Sequence, residues 1–333
     1  MTGTATPLSY AQQEDRDFFE RELASFVPDR VFDAHCHVWN RSHMTLPAWY
    51  DPMATVGYDE YSSLIQDLHP GRQHGALFIP SVRDRDKMQE ANSWTAAAAA
   101  RHPDFRNAFF LSPKDDPEWV RDEVRRLGAS GLKCYHTFSD AKPTWEAHIP
   151  DYLPESMIRI AHEESLTVTL HMVRTRSVAD PENIRWIRHY CEQYPNMTMI
   201  LAHSARAFQP AHALEGLPQL TGLDNLYCDS SANCEQMAHQ AIIRILGHDK
   251  LLYGSDLCAS HDRGRSLGTA DSFLWLYNDS PHWKEKHTSI RPVLIGLEHL
   301  RSLKWACWSE RLTDSQVEDI FWNNAAKVFG IGN

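Results

Sequence analysis

Two histidines two residues apart, His35 and His37, close the apolar run Val31-Phe32-Asp33-Ala34-His35-Cys36-His37-Val38. In a strand, side chains at i and i+2 share one face and stand roughly 7 Å apart along the chain, so both imidazoles can reach one metal ion. The plain alternative is an accidental spacing, since the chain holds 19 histidines in 333 residues. Other residues able to do chemistry also close apolar runs. Lys133, Tyr135 and His136 lie in Gly131-Leu132-Lys133-Cys134-Tyr135-His136, and His171 follows Thr167-Val168-Thr169-Leu170. His203 follows Met199-Ile200-Leu201-Ala202, and Asp256 follows Leu251-Leu252-Tyr253-Gly254-Ser255. One histidine after a strand is more often a hydrogen-bonded structural residue than a ligand. Four histidines and an aspartate at such ends ask for a fold that gathers them.

The elements that would position them are short β-rich runs, each followed by a stretch long enough for a helix. The runs are 31–34, 76–82, 108–111, 132–135, 166–172, 197–202, 226–228 and 251–253. Helix-like segments at 117–127, 154–164, 181–194 and 235–246 repeat apolar residues every three to four positions. Eight strands alternating with helices predict a single α/β domain over residues 1–333, a (β/α)8 TIM barrel whose chemistry gathers at the C-terminal strand ends. A doubly wound sheet would need a glycine-rich phosphate turn after an early strand, and none is present; nor is there a phosphate-loop or G-x-S-x-G motif. Residues 1–30 are expected to form an N-terminal helical extension, with 12–26 packed against the barrel. The stretch 39–74 reads as a loop over a pocket. Residues 257–310 read as a helical insertion after strand 8, rich in tryptophan (Trp275, Trp283, Trp305, Trp308), serving as a lid, a core element or a subunit contact. A closing helix should start near Thr313 and end at Gly330.

The order HxH, Lys133, His171, His203, Asp256 resembles the amidohydrolase superfamily, in particular its amidohydrolase-related branch of metal-dependent hydrolases and decarboxylases. The resemblance runs from Val31 to Gly330 and includes Asn323-Asn324-Ala325-Ala326-Lys327-Val328-Phe329, which is similar to the family's closing helix. It implies that His35, His37, His171 and Asp256 ligate one divalent ion. Zn²⁺ suits three imidazoles and a carboxylate, and Mn²⁺, Co²⁺ or Fe²⁺ fit the same donors. It also implies Asp256 and His203 as catalytic residues. Asp256 would accept the proton of a metal-activated water whose pKa is lowered to about 7, while His203 polarises the substrate carbonyl. Lys133 is read as a substrate ligand beside a single metal; the alternatives are a carboxylated lysine bridging two metals, or an ion pair with Asp229.

Arg174 and Arg206, which follow the strands ending in His171 and His203, offer planar forks for a carboxylate, as do Arg176 beside Arg174 and Arg41 and Arg263 after the first and eighth strands. For any single arginine a surface ion pair is the competing reading. Trp39, Trp49, Tyr50 and Tyr135 could enclose an organic ring. Hence the expected substrate is a small anionic carbonyl compound, a lactone or amide, cleaved by hydrolysis. Non-oxidative decarboxylation of an aromatic or unsaturated acid uses the same ligands, and a non-catalytic metal- or ligand-binding barrel is the reading from another class.

The net charge of −11 speaks against a nucleic-acid partner, which needs clustered cations. No apolar stretch reaches the roughly 18 residues of a membrane span, and Met1-Thr2-Gly3-Thr4 lacks the features of a signal peptide. A cytoplasmic protein follows, with homo-oligomerisation expected from the family alone. Seven cysteines without a C-x-x-C pair suit reduced thiols.

Overall fold

A computed structural model describes residues 9–44, 55–284 and 290–332. Its centre is a curled sheet of eight parallel strands: β1 (Arg30–Asn40), β2 (Gln73–Pro80), β3 (Phe105–Phe110), β4 (Gly131–Lys133), β5 (Thr167–Leu170), β6 (Thr198–Leu201), β7 (Leu226–Asp229) and β8 (Leu251–Leu252). Each pairs with its sequence neighbour, as right-handed βαβ crossovers dictate. The sheet closes where the chain leaving β8 returns to β1. Ala34 N donates to Tyr253 O (2.8 Å), Asp256 N to His35 O (2.8 Å) and His37 N to Leu257 O (3.1 Å). The (β/α)8 barrel is therefore the observed fold, with all eight runs in their expected places.

Inside the barrel, Phe32, Ala34, Leu77, Ile79, Ala108, Ile200 and Leu252 form one buried cluster. The helix Asn324–Phe329 plugs its lower end, with Phe329 stacked on Phe32 at 5.3 Å, and Gly330 terminates it at φ 60°. A larger cluster fills the layer between strands and helices. Helix starts follow local chemistry: Asp116 Oδ1 accepts from Trp119 N (3.0 Å) ahead of Pro117–Leu127, and Asp180 caps Pro181–Gln193 in the same way. Both helices carry proline in the first turn, where its missing N–H costs nothing.

Three regions add to the expectations. The N-terminal helix Gln13–Phe18 and the wider turn Phe19–Leu23 bury Phe18, Phe19 and Leu23, and Asp15 binds Arg263 and Leu294 N. The stretch 39–74, expected as loop, contains the helix Tyr58–Leu64 and a short strand, Thr55–Val56, paired antiparallel with the end of β1. Residues 257–310 are not all helical. After a short helical turn, Ala259–His261, they form a β-hairpin, β9 (Gly264–Thr269) and β10 (Ser272–Tyr277), before the helix Ile295–Ser309. The hairpin escaped notice because its two-residue turn is Ala270-Asp271, with Ala270 at φ 48°, rather than the Asn-Gly or Asp-Gly that usually marks such a turn. No helix among the described residues is long and apolar enough to cross a membrane.

Candidate metal centre

β1 carries a bulge: Asp33 pairs with Ala76, but Cys36 pairs with Phe78, so one extra residue lies between them. Bulges re-aim side chains, and the rings of His35 and His37 converge to 5.2 Å between centroids. Asp33 holds this corner. Its carboxyl accepts from Ser255 N (2.8 Å), Ser255 Oγ (2.5 Å), His35 N (3.2 Å) and Tyr61 Oη (3.3 Å), so β1 and the exit of β8 are tied together beneath the site. Burial pushes its pKa up to about 7.

The same corner places Asp256, at φ 56°, with Oδ1 3.6 Å from His37 Nε2 and 3.8 Å from His35 Nε2. Ligand atoms of these three residues lie within 4.8 Å of one another. Behind them, the fully buried Asp229 accepts from His35 Nδ1 at 2.9 Å. The neutral imidazole consequently has its lone pair on Nε2, the atom turned toward Asp256. Lys133, also fully buried, brings Nζ to 3.2 Å from that Nε2. Burial lowers its pKa, against the opposing charges of Asp229 and Asp256.

His203 begins an unusual turn. His203, Ser204, Ala205 and Arg206 all have φ between 52° and 60°, four consecutive left-handed residues of which none is glycine. Such residues cost about 1–2 kcal/mol each. The offsetting bonds come from distant elements. Asp229 Oδ1 accepts from His203 N (3.0 Å), Asn233 Nδ2 donates to His203 O (3.2 Å), and Ser177 Oγ lies 3.0 Å from the carbonyls of Ala205 and Arg206. His203 Nδ1 faces Ser231 O (3.2 Å) and Ser231 Oγ (2.9 Å). Because Ser231 Oγ itself donates to Asp229 Oδ1, both groups accept from His203, which leaves the lone pair of neutral His203 on Nε2.

His171 stands across the site, stacked on Tyr135 at 4.9 Å and edge-on to His203 at 5.2 Å, outside both groups of converging ligand atoms. The second group, His35, His203 and Asp229, consists of atoms already bonded to one another or to Ser231. It orients the site.

These donors fit a divalent cation. Burial, chiefly, drives the pKa values of His35, His37, His171 and His203 well below the ordinary histidine value, so all four are neutral imidazoles, the form that ligates metal. Nδ1 of His171 is buried without a hydrogen-bond partner, and no hydrogen bond links Asp256 to the histidine nitrogens it faces.

Above the group opens a cavity of about 500 Å³ lined by His37, Asp256, Arg83, Phe110, Tyr135, His136 and Trp145, among others. The expected substrate contacts divide. Tyr135 lines the cavity, and Lys133 lies beneath it against His35. Arg206 sits near Trp145, its guanidinium carbon 5.4 Å from the ring centroid. Arg174 instead gives Nε to Asp180 (2.9 Å) and Nη1 to Glu146 O (3.0 Å), and Trp39 is buried in the core, off the cavity wall. Arg176 and Arg263 are likewise held by carboxylates, Glu215 and Asp15. Trp49 and Tyr50 lie outside the described residues. Sequence reasoning missed Arg83, Phe110 and Trp145; only the position of Phe110 at the end of β3 and of Arg83 just past β2 could have flagged the first two.

The sequence model of the amidohydrolase family matches residues 32–331. The chain belongs to the amidohydrolase family. Members of this family are enzymes, hydrolases and decarboxylases among them, and generally use a divalent metal. Solved structures of the same fold include a candidate 2-pyrone-4,6-dicarboxylic acid hydrolase from Pseudomonas putida, at 16% identity over 92% of this chain and 100% of that one (TM-score 0.56). The 5-carboxyvanillate decarboxylase of Sphingomonas paucimobilis aligns at 14% identity over 92% and 100% (TM-score 0.56). The 4-oxalomesaconate hydratase of Rhodopseudomonas palustris aligns at 13% over 90% and 95% (TM-score 0.54). No curated protein matches this amidohydrolase.

Proposed function

We propose that this amidohydrolase hydrolyses a small anionic carbonyl compound, a lactone, an amide or similar, using one divalent ion, zinc by donor type, held by His35, His37, His171 and Asp256. The observation that carries the reading is the convergence of His35 Nε2, His37 Nε2 and Asp256 Oδ1 beneath an open cavity at the C-terminal strand ends. A divalent ion supplies Lewis-acid polarisation of a substrate oxygen and acidifies water toward neutral pH.

The chain's own groups then do the rest. Asp256 takes the proton of the attacking water, being the one carboxylate among the described residues of the cavity wall. His203, neutral with a bare Nε2, accepts a hydrogen bond from the attacking water, and Asp256 passes the proton it has taken to the leaving oxygen or nitrogen. Lys133, fully buried beside the donors, offers an ammonium to a substrate carboxylate or carbonyl oxygen. Tyr135 walls the cavity, and Arg206 receives an anionic substituent.

Decarboxylation is the second reading, and the rings of Phe110, Tyr135 and Trp145 favour it, because they suit an aromatic or unsaturated acid. In that chemistry Asp256 or His203 delivers its proton to carbon. The two are separated by incubating metal-loaded enzyme with lactones, amides and aromatic acids in heavy-oxygen water. Incorporation of solvent oxygen into the product supports hydrolysis. Release of carbon dioxide without it overturns hydrolysis in favour of decarboxylation.

A further inference from the structure

The hairpin β9–β10 packs beside the turn that follows β6, against Phe208 and Arg206. Phe273, Trp275 and Tyr277 alternate along β10 and therefore share one face, spanning about 14 Å. One end of this face reaches the left-handed turn of the site. Phe273 stacks on Phe208 at 4.4 Å, Phe208 lies 5.8 Å from His203, and Trp275 meets Phe208 edge-on at 5.5 Å. At the other end Tyr277, 43% exposed, stacks on Trp275 at 5.9 Å.

Arg206 sits where this face meets the opposite wall. Its guanidinium carbon is 5.4 Å from the Trp145 ring and 5.8 Å from the Phe273 ring, and its hydrogen bond is a long one, 3.4 Å to Arg174 O. No described carboxylate pairs with it, in contrast to Arg174, Arg176 and Arg263. A cation flanked by two rings and lacking an acid partner calls for an anion that is itself flat.

The hairpin is also pinned. Asp271 in its turn accepts from His212 Nε2 (2.9 Å), Gln209 Nε2 donates to Ala270 O (2.7 Å), Gly268 N donates to Glu235 Oε1 (2.9 Å), and Cys234 N donates to Ser266 Oγ (3.0 Å). At Gly268 the approach to the chain is so close that a Cβ would stand 2.8 Å from Phe208 O. A face held this firmly acts as a fixed wall.

We propose that Phe273, Trp275 and Tyr277 form an aromatic wall that, with Arg206 and Trp145, selects ligands whose carboxylate is attached to an extended planar π system over equally charged ligands that are not planar. The inference rests on the site assigned above and names the shape of the group bound at its outer side.

The test is calorimetric binding to the full-length protein, with no turnover required. The probes are 2-naphthoate and its saturated counterpart decahydro-2-naphthoate, equal in charge and carbon skeleton and different in planarity. Wild-type protein should bind the naphthoate at least about fivefold more tightly. Phe273→Leu, which keeps apolar volume and removes the ring, should abolish most of that preference while leaving the saturated acid unchanged. Arg206→Gln should weaken both. Gly268→Ala, which displaces the hairpin, should behave as Phe273→Leu does. Equal affinity for the two acids in wild type, or a preference untouched in both Phe273→Leu and Gly268→Ala, overturns the proposal. Metal content and hydrolysis, measured on the same preparations, report on the catalytic reading separately.

Discussion

His35 gives its Nδ1 proton to Asp229 across 2.9 Å, with both side chains fully buried, so the nitrogen left for a metal is chosen by a residue 194 positions away. Partners of this kind fix ring orientation and basicity, and their loss typically lowers metal affinity about 10- to 100-fold. Asp229→Asn should do so here, read by competition with a chelator. The amide oxygen that remains can still accept from His203 N and Ser231 Oγ, so the loss should fall on His35, whose Nδ1 then faces an amide donor. Metal affinity within twofold of wild type would dismiss this role.

Lys133→Met removes the ammonium beside His35 while keeping an apolar stem in a fully buried position. If the lysine serves substrate, one ion per chain remains bound and turnover drops about 10²-fold or more. Elemental analysis decides the matter: two ions in wild type falling to one in the variant would instead mark a carboxylated lysine bridging a metal pair.

Gly254→Ala should injure the centre by sterics alone. A Cβ there would stand 2.8 Å from His35 Cβ and 3.2 Å from its backbone nitrogen. Overpacking of this kind costs about 1–3 kcal/mol. Denaturant unfolding should therefore move to lower midpoint, and metal affinity should fall with it, since the residue displaced is a proposed ligand.

Stability should decline in mild acid. Burial holds His74 and His239 neutral in the folded protein, each with its pKa pushed down to about 4 from the ordinary 6.5. Between those values the unfolded chain binds protons that the folded chain refuses, so stability rises with pH across this window. Their contribution is intact above about 6.5 and is lost progressively as pH falls toward 4. Urea midpoints at pH 7 and pH 5 test this. His74→Gln should shrink the difference between them, and an unchanged difference would exclude His74 as a source.

Much of the barrel was legible from residues 31 to 330 because its signals are local. Strand runs, helix periodicity and the terminal Gly330 each depend on neighbours within a few positions, and they fell where the periodicity placed them. The chemistry-bearing histidines and Asp256 stood out for a related reason, since a parallel barrel brings every strand's C-terminal end to one mouth whatever separates the strands in sequence.

What remained hidden depends on contacts between distant segments. The left-handed run His203 to Arg206 carries no glycine, and it is enforced by Asp229, Asn233 and Ser177. The hairpin turn lacks its usual residues and is pinned by His212, Gln209 and Glu235. Arg174 and Arg206 look equivalent along the chain, yet Asp180 captures one and leaves the other facing two aromatic rings. Composition and spacing determined that His35 and His37 would stand at a barrel mouth. Only the tertiary structure decided which nitrogen of His35 is free, because a tautomer is set by the partner behind the ring, and that partner arrives from the other side of the barrel.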